Sequence, residues 1–231
     1  MKVEISDKIK KKLKLIKDNI LQGEFLYNFA KHHNYGEETL ELLSNKELTE
    51  ATLNVLQQQS RTKQFFHLKD ERNLFEYNLN IIGSWVIEDY IVDNCSGLFD
   101  LNGIDKERTI IPKEGVITNQ SDLINTLTGK RVEIQSEFYY RGGQYINAPI
   151  ILRDNKYNNL KEENADLLII NVPLRKYLLL NINDFEAEYI ESYKNYGNKQ
   201  VYSLNCENII SKFKPLEELF KFAEEEITKT I

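Results

Sequence analysis

The stretch Ala165-Asp-Leu-Leu-Ile-Ile-Asn-Val172 constrains the fold most. An apolar run of that length, too short for a helix of ordinary size, reads as a buried strand of the kind that is covered on both faces. Tyr177 to Ile182 repeats the pattern, and a polar helical stretch near Asn155 to Asn164 precedes both. Helix, strand and helix signals close the chain, with Pro215 placed as the first residue of the last helix. The first part differs. Ile9, Leu13, Ile16 and Ile20 recur at three- and four-residue spacing, and Leu40, Leu43, Leu48, Val55 and Leu56 suggest a second helix. A third is predicted from about Glu71 to Asp93, with Gly97 beyond its end. No strand pattern occurs before residue 70. The fold class expected is α/β, a mixed central sheet flanked by helices, plus an N-terminal helical region.

Hydrophobic residues make up 41% of the 231 and charged residues 29%, an ordinary globular balance that excludes a disordered chain. The Lys-rich start has no apolar stretch behind it, and no run approaches the roughly 18 residues of a membrane helix. Cys95 and Cys206 lie far apart and form neither a disulfide framework nor a zinc cluster. These features predict a soluble, cytoplasmic protein with free thiols and no membrane partner. A net charge of −6 argues against a protein that coats nucleic acid by broad phosphate neutralisation, though not against one with a local basic cleft. Lys8, Lys10, Lys11, Lys12, Lys14 and Lys17 cluster near one end and read as a solvated helix face. Without repeats or Gly/Ser linkers, residues 1–231 read as a single domain, with 1–70 a helical appendage or dimer arm and 71–231 the core.

From Gly115 the period shifts toward two, with β-branched residues in Val116 to Thr118 and in Val132 to Ile134 and a turn at Gly129. Taking Thr128-Gly129 as a two-residue turn pairs Leu127 with Lys130 and, counting outward, Asp122 with Gln135. Facing residues, and residues two apart on a strand, share a side of the sheet. Asp122, Glu133 and Gln135 therefore converge on one face, with Val132, Ile134 and Phe138 on the other. Such a pattern also describes the polar side of any amphipathic hairpin. Two carboxylates held together on a rigid element nevertheless suit a hard cation such as magnesium, which prefers oxygen ligands.

The order of elements from about Leu74 to Ile182, with an acid, a turn and then Glu133-Ile-Gln135, resembles the PD-(D/E)XK nuclease superfamily, specifically its type II restriction endonucleases. That resemblance implies a restriction-endonuclease-like core that hydrolyses double-stranded DNA at a short palindromic site, as a homodimer, with Mg2+. It implies metal ligation by Asp122, Glu133 and the Ile134 carbonyl, a catalytic role for Gln135, and Glu88 as the acid of the preceding helix. Ser121 stands where Pro is usual, and Gln135 replaces the usual Lys, an E-x-Q pattern that a few active members share. Lys130 and Lys156 are both candidates for the missing positive charge.

A loop leaving the catalytic strand is well placed to read bases, and Tyr139 to Asn147 carries Arg141, Gln144 and Asn147, side chains suited to base edges. Arg61 and Lys63, within an amide-rich segment, and Lys156 join the expected DNA contacts. His32, His33 and His67 lack metal spacing. Three functions are compatible with these residues: a restriction endonuclease, a repair or junction-resolving nuclease of the same fold, and a DNA-binding module whose nuclease site has decayed.

Overall fold

A computed structural model of the chain describes residues 6–44, 74–110, 120–204 and 208–230. These belong to two compact units, one of residues 1–90 with 103–118 and one of 91–102 with 119–231.

The described residues of the first unit before Tyr90 are mainly helical, as the spacing predicts. Helix α1 (Asp7–Ile16) runs into a π-helical turn (Lys17–Leu21), followed by α2 (Leu26–His32) and α3 (Glu37–Leu43). Ile9, Ile16 and Ile20 are buried, while Lys8, Lys10, Lys11 and Lys14 are exposed, so the lysine cluster is largely a solvated face. Helix α2 has no counterpart among the expected elements. Leu48, Val55 and Leu56 lie outside the described residues. Helix α4 (Leu74–Asn94) matches the expected third helix. Among its residues Leu79, Ile82, Trp85, Val86, Ile87 and Ile91 are buried on successive turns, the all-round pattern of a core helix. Its last turn, from Ile91, belongs to the second unit.

In the second unit the strands β1 (Phe99–Leu101), β2 (Leu123–Asn125) and β3 (Arg131–Glu137) are followed by β4 (Ile150–Arg153) and helix α5 (Asp154–Glu162). Then come β5 (Asp166–Asn171), β6 (Lys176–Asn181), β7 (Ala187–Tyr193), β8 (Lys199–Leu204), α6 (Ile209–Lys212), β9 (Lys214–Pro215) and α7 (Leu216–Thr228). Six strands form a mixed sheet in the order β1-β2-β3-β5-β6-β9, in which only β3 and β5 are parallel. A parallel pair needs a crossover, supplied here by β4 and α5. Strands β4, β8 and β7 form a separate antiparallel sheet. The closing part departs from the single strand expected between helices. It holds β7 and β8 of the second sheet and β9 of the first, and β7, exposed or half-exposed along its whole length, lacks the apolar signal of β5. Pro215 is the cap residue just before α7, one position earlier than expected.

Burial explains the sequence of β5. Leu167, Leu168, Ile169 and Ile170 are all inaccessible to solvent. On one side Leu167 and Ile169 join a core with Tyr157 and Leu160 of α5 and with Ile150, Leu180 and Leu204. At roughly 1.5–3 kcal/mol for each fully buried Leu or Ile, this strand anchors the sheet. Cys95 is free and buried, its thiol pushed up to about 12 by burial, which leaves it protonated and unreactive. Cys206, like Val116 to Thr118 and His67, lies outside the described residues. Among the described residues no helix is long and apolar enough to cross a membrane.

The hairpin register departs from expectation by two residues. Leu123 pairs with Val132 and Ile124 with Arg131, so Asp122 aligns with Glu133 and not with Gln135. The loop contains four residues, Thr126–Gly129: the Asn125 side chain accepts hydrogen bonds from the N–H groups of Leu127 and Thr128, and the Gly129 N–H donates to the Asn125 carbonyl. Gly129 occupies the left-handed region at φ 71°. A two-residue primed turn would demand positive φ at Thr128 as well, which a β-branched side chain resists. A shift of two preserves the face, so Asp122 and Glu133 still share a side.

Candidate active site

Strand β3 alternates as a half-buried strand should: Val132 and Ile134 are buried, whereas Arg131, Glu133 and Gln135 are partly exposed. In the parallel register Glu133 lies beside Leu167 and Gln135 beside Ile169. These two hydrophobic residues share a core with Tyr157 and Leu160, so the polar edge of β3 lies under α5. The crossover helix thereby brings Lys156 to Glu133. The Lys156 Nζ stands 2.8 Å from Glu133 Oε1 and donates to the Ile134 carbonyl at 3.2 Å. That carbonyl can accept because the β2–β3 pairing extends no further than Val132. The adjacent Ile134 N–H donates instead to Asp122 Oδ2 at 2.8 Å, and the Asn102 N–H holds the Asp122 carbonyl at 2.8 Å. Asp122 is thus held from both sides, by Asn102 just past β1 and by β3, with its carboxylate turned toward β3.

Burial pulls the pKa of Lys156 down, but the Glu133 and Asp122 carboxylates and the hydrogen bond to Glu133 outweigh it and raise the group above the usual lysine range. The ammonium is therefore charged at neutral pH. Lys130, the other candidate for the missing charge, is paired with Asp166 at 2.6 Å. Of the two, Lys156 is the one that meets Glu133. A helical reading could have preferred it, since Tyr157 and Leu160 mark the buried stripe of that helix and Lys156 borders it.

A magnesium ion is compatible with this donor set. Two carboxylates and a main-chain carbonyl are the hard oxygen ligands such an ion takes, and a cationic group already rests against Glu133 and Ile134. The residues that would hold the metal are Asp122, Glu133 and Ile134. No group of three His, Cys, Asp or Glu side chains suited to a metal occurs among the described residues, so the main-chain oxygen is needed to complete a protein triad.

Two expected site residues are buried in ion pairs. Arg141, expected at a base edge, is buried: its Nε and Nη2 donate to the two oxygens of Glu137 at 2.7 and 2.5 Å, and Nη1 donates to the Ala148 carbonyl at 2.7 Å. The Asn171 amide and the Tyr139 hydroxyl also donate to Glu137. A guanidinium committed to this bidentate pair clamps the base of the loop and presents no edge to DNA. Glu88, expected as the acid of the preceding helix, is likewise buried and paired with Arg108 at 2.6 Å. Arg108 also holds Asp89 at 2.7 Å, and Asp89 accepts from the Tyr35 hydroxyl at 2.6 Å. This closed network of the helical unit keeps Glu88 occupied. Asp89 lent no distinguishing signal in the sequence, because its partners stand 54 and 19 residues away.

Gln144 and Asn147 are exposed on the loop and remain available to a ligand. Arg61 and Lys63 lie outside the described residues. Compared with family models, curated proteins and solved structures, the chain matches none.

Proposed function

We propose that this chain is a magnesium-dependent, sequence-specific endonuclease of double-stranded DNA, acting as a homodimer in the manner of a type II restriction enzyme. The observation that supports this most directly is the cation position bounded by the Glu133 carboxylate and the Ile134 carbonyl, within the field of Asp122. When bound there, magnesium supplies Lewis-acid activation of water and neutralises charge on the phosphate. Asp122 and Glu133 would hold the ion, Glu133 from strand β3 and Asp122 from just before β2. Lys156, protonated at neutral pH, is no base. It supplies positive charge and hydrogen bonds to phosphate oxygens, and its four-carbon stem lets it exchange Glu133 for the substrate. The Gln135 amide orients the attacking water and cannot serve as a cationic acid.

Cleavage of plasmid DNA with magnesium tests the reading. Discrete fragments are expected from the wild type, and Asp122→Ala or Glu133→Ala should abolish them while leaving calcium-supported DNA binding largely intact, since ligation and base reading use different residues. Near-wild-type cleavage by both variants would sink the assignment. The placement of Lys156 also supports a second reading, a decayed DNA-binding module in which the ammonium is a permanent internal counter-ion. That module would leave plasmid uncut with magnesium or manganese. A junction-resolving enzyme of the same fold would nick only branched substrates.

A further inference from the structure

Nine large hydrophobic side chains are exposed among the described residues, and four of them, Tyr139, Tyr140, Tyr145 and Ile146, fall within eight positions of one loop. Tyr140 is the most exposed at 65%. Such a side chain is ordinarily mobile, but this one rests on a built support. A Cβ added at Gly142 would stand 2.3 Å from Tyr140 Cε1 and 2.8 Å from its Cδ1, so the ring lies in the space that glycine leaves open. Gly142 has an extended backbone, which any residue adopts. A side chain at this position would displace the ring from the place it holds. The loop base is clamped by the buried Arg141–Glu137 pair and by the Arg141 bond to Ala148. The sequence around Tyr140 thus holds a large aromatic face toward solvent at little further loss of freedom.

We propose that Tyr140 stacks on a base displaced from the helical stack of bound DNA, next to the strand that carries Glu133. The proposal rests on the nuclease reading for the identity of the ligand. Two observations favour nucleic acid over a second copy of the chain. Exposed amides, Gln144 and Asn147, interleave with the rings, which suits base edges beside base faces. At about 200 Å² for a whole aromatic side chain, four half-exposed groups offer roughly 400 Å², half of the about 800 Å² per partner that a stable protein interface buries. One stacked base requires only one ring face.

The test uses the full chain with calcium, which supports binding without cleavage, and two probes: a short mixed-sequence duplex, and the same duplex with 2-aminopurine opposite an abasic site, where the base is easily displaced. Affinity is read by anisotropy and stacking by 2-aminopurine quenching. Tyr140→Ala and Gly142→Ala should each weaken binding of the abasic duplex about tenfold, the scale of one lost base–aromatic stack, and relieve the quenching. Tyr140→Phe keeps the ring and should behave as wild type, with unchanged thermal unfolding as the check on folding. Wild-type affinity and quenching in Tyr140→Ala would overturn the stacking role while leaving the nuclease reading to the cleavage assay. A concentration-dependent dimer that Tyr140→Ala dissociates, with DNA affinity unaltered, would overturn it in favour of a contact between copies. Failure of the wild type to bind the abasic probe more tightly than the intact duplex would overturn the stacking role, while plasmid cleavage decides the nuclease reading separately.

Discussion

Glu133 and Glu137 sit four residues apart on β3, on the same face of the sheet, and each carries a cationic partner, yet the two ends of the strand are chemically opposite. Glu137 is 4% exposed and saturated: both its oxygens are taken by the Arg141 fork, and Asn171 and Tyr139 add further donors. Glu133 is 18% exposed and meets a single ammonium, which it shares with a backbone carbonyl. A planar guanidinium gives two fixed hydrogen bonds in a dry site, and a lysine gives a point charge on a flexible stem at the edge of solvent. The first arrangement locks a loop. The second holds its cation less tightly, which the proposed metal site would require. Neither acid could be assigned its role from residue type alone, because the distinction lies in the partner and its solvation.

The largest expected effect is on the saturated pair. Arg141→Ala leaves the Glu137 carboxylate buried and unpaired, and should lower unfolding stability by about 3–5 kcal/mol. Glu133→Ala, at the open end, should change stability by less than about 1 kcal/mol. Denaturant unfolding of both variants measures the contrast, and equal losses would erase the distinction between a locked and an open end.

Next in size is catalysis at the open end. Lys156→Met should slow single-turnover hydrolysis by about 10²-fold, the effect of removing one stabilising contact to developing charge, with little change in folding. Gln135→Ala should produce a loss of similar order by releasing the water. Gln135→Lys should also be impaired, because a second ammonium beside Asp122 and Glu133 competes with the metal for the same carboxylates. An inactive wild type rescued by Gln135→Lys would instead favour the decayed module.

The smallest effect is on pH dependence. Lys156 is raised above its unfolded value, so its contribution to stability is complete below the ordinary lysine pKa, near 10.4, and is lost as pH rises through the folded value. For a partly exposed pair the contribution is of the order of 1 kcal/mol. Unfolding midpoints compared at neutral and strongly alkaline pH should decline more in the wild type than in Lys156→Met, and parallel declines would show that the ammonium is not held by its carboxylates.

Much of the fold was legible because hydrophobic period reports secondary structure directly. The continuous apolar run became the buried strand β5, the alternation around Val132 and Ile134 became β3, and the spacing of Ile9, Ile16 and Ile20 became a helix with those residues inside. The shared face of Asp122 and Glu133 was legible for the same reason, and it survived a wrong register because a slip of two positions keeps every side chain on its side. The register itself depended on turn chemistry, the Asn125 side chain and the left-handed Gly129, which hydrophobic pattern does not record. One strand is expected where β7 and β8 both lie, because β7 is exposed or half-exposed along its whole length and β8 is buried only from Val201 onward, so neither carries a continuous apolar signal.

What the sequence determined by itself is local: which segments bury one face or two, and which acids share a strand face. Tertiary structure alone decided which cation each acid meets. Lys156 reaches Glu133 because the parallel β3–β5 pair forces a crossover helix over that face, Arg141 turns inward to Glu137, and Arg108 closes on Glu88 and Asp89. Charged side chains have no periodicity of their own. Their pairing follows from sheet order and burial, and these are set by hydrophobic packing between residues distant along the chain.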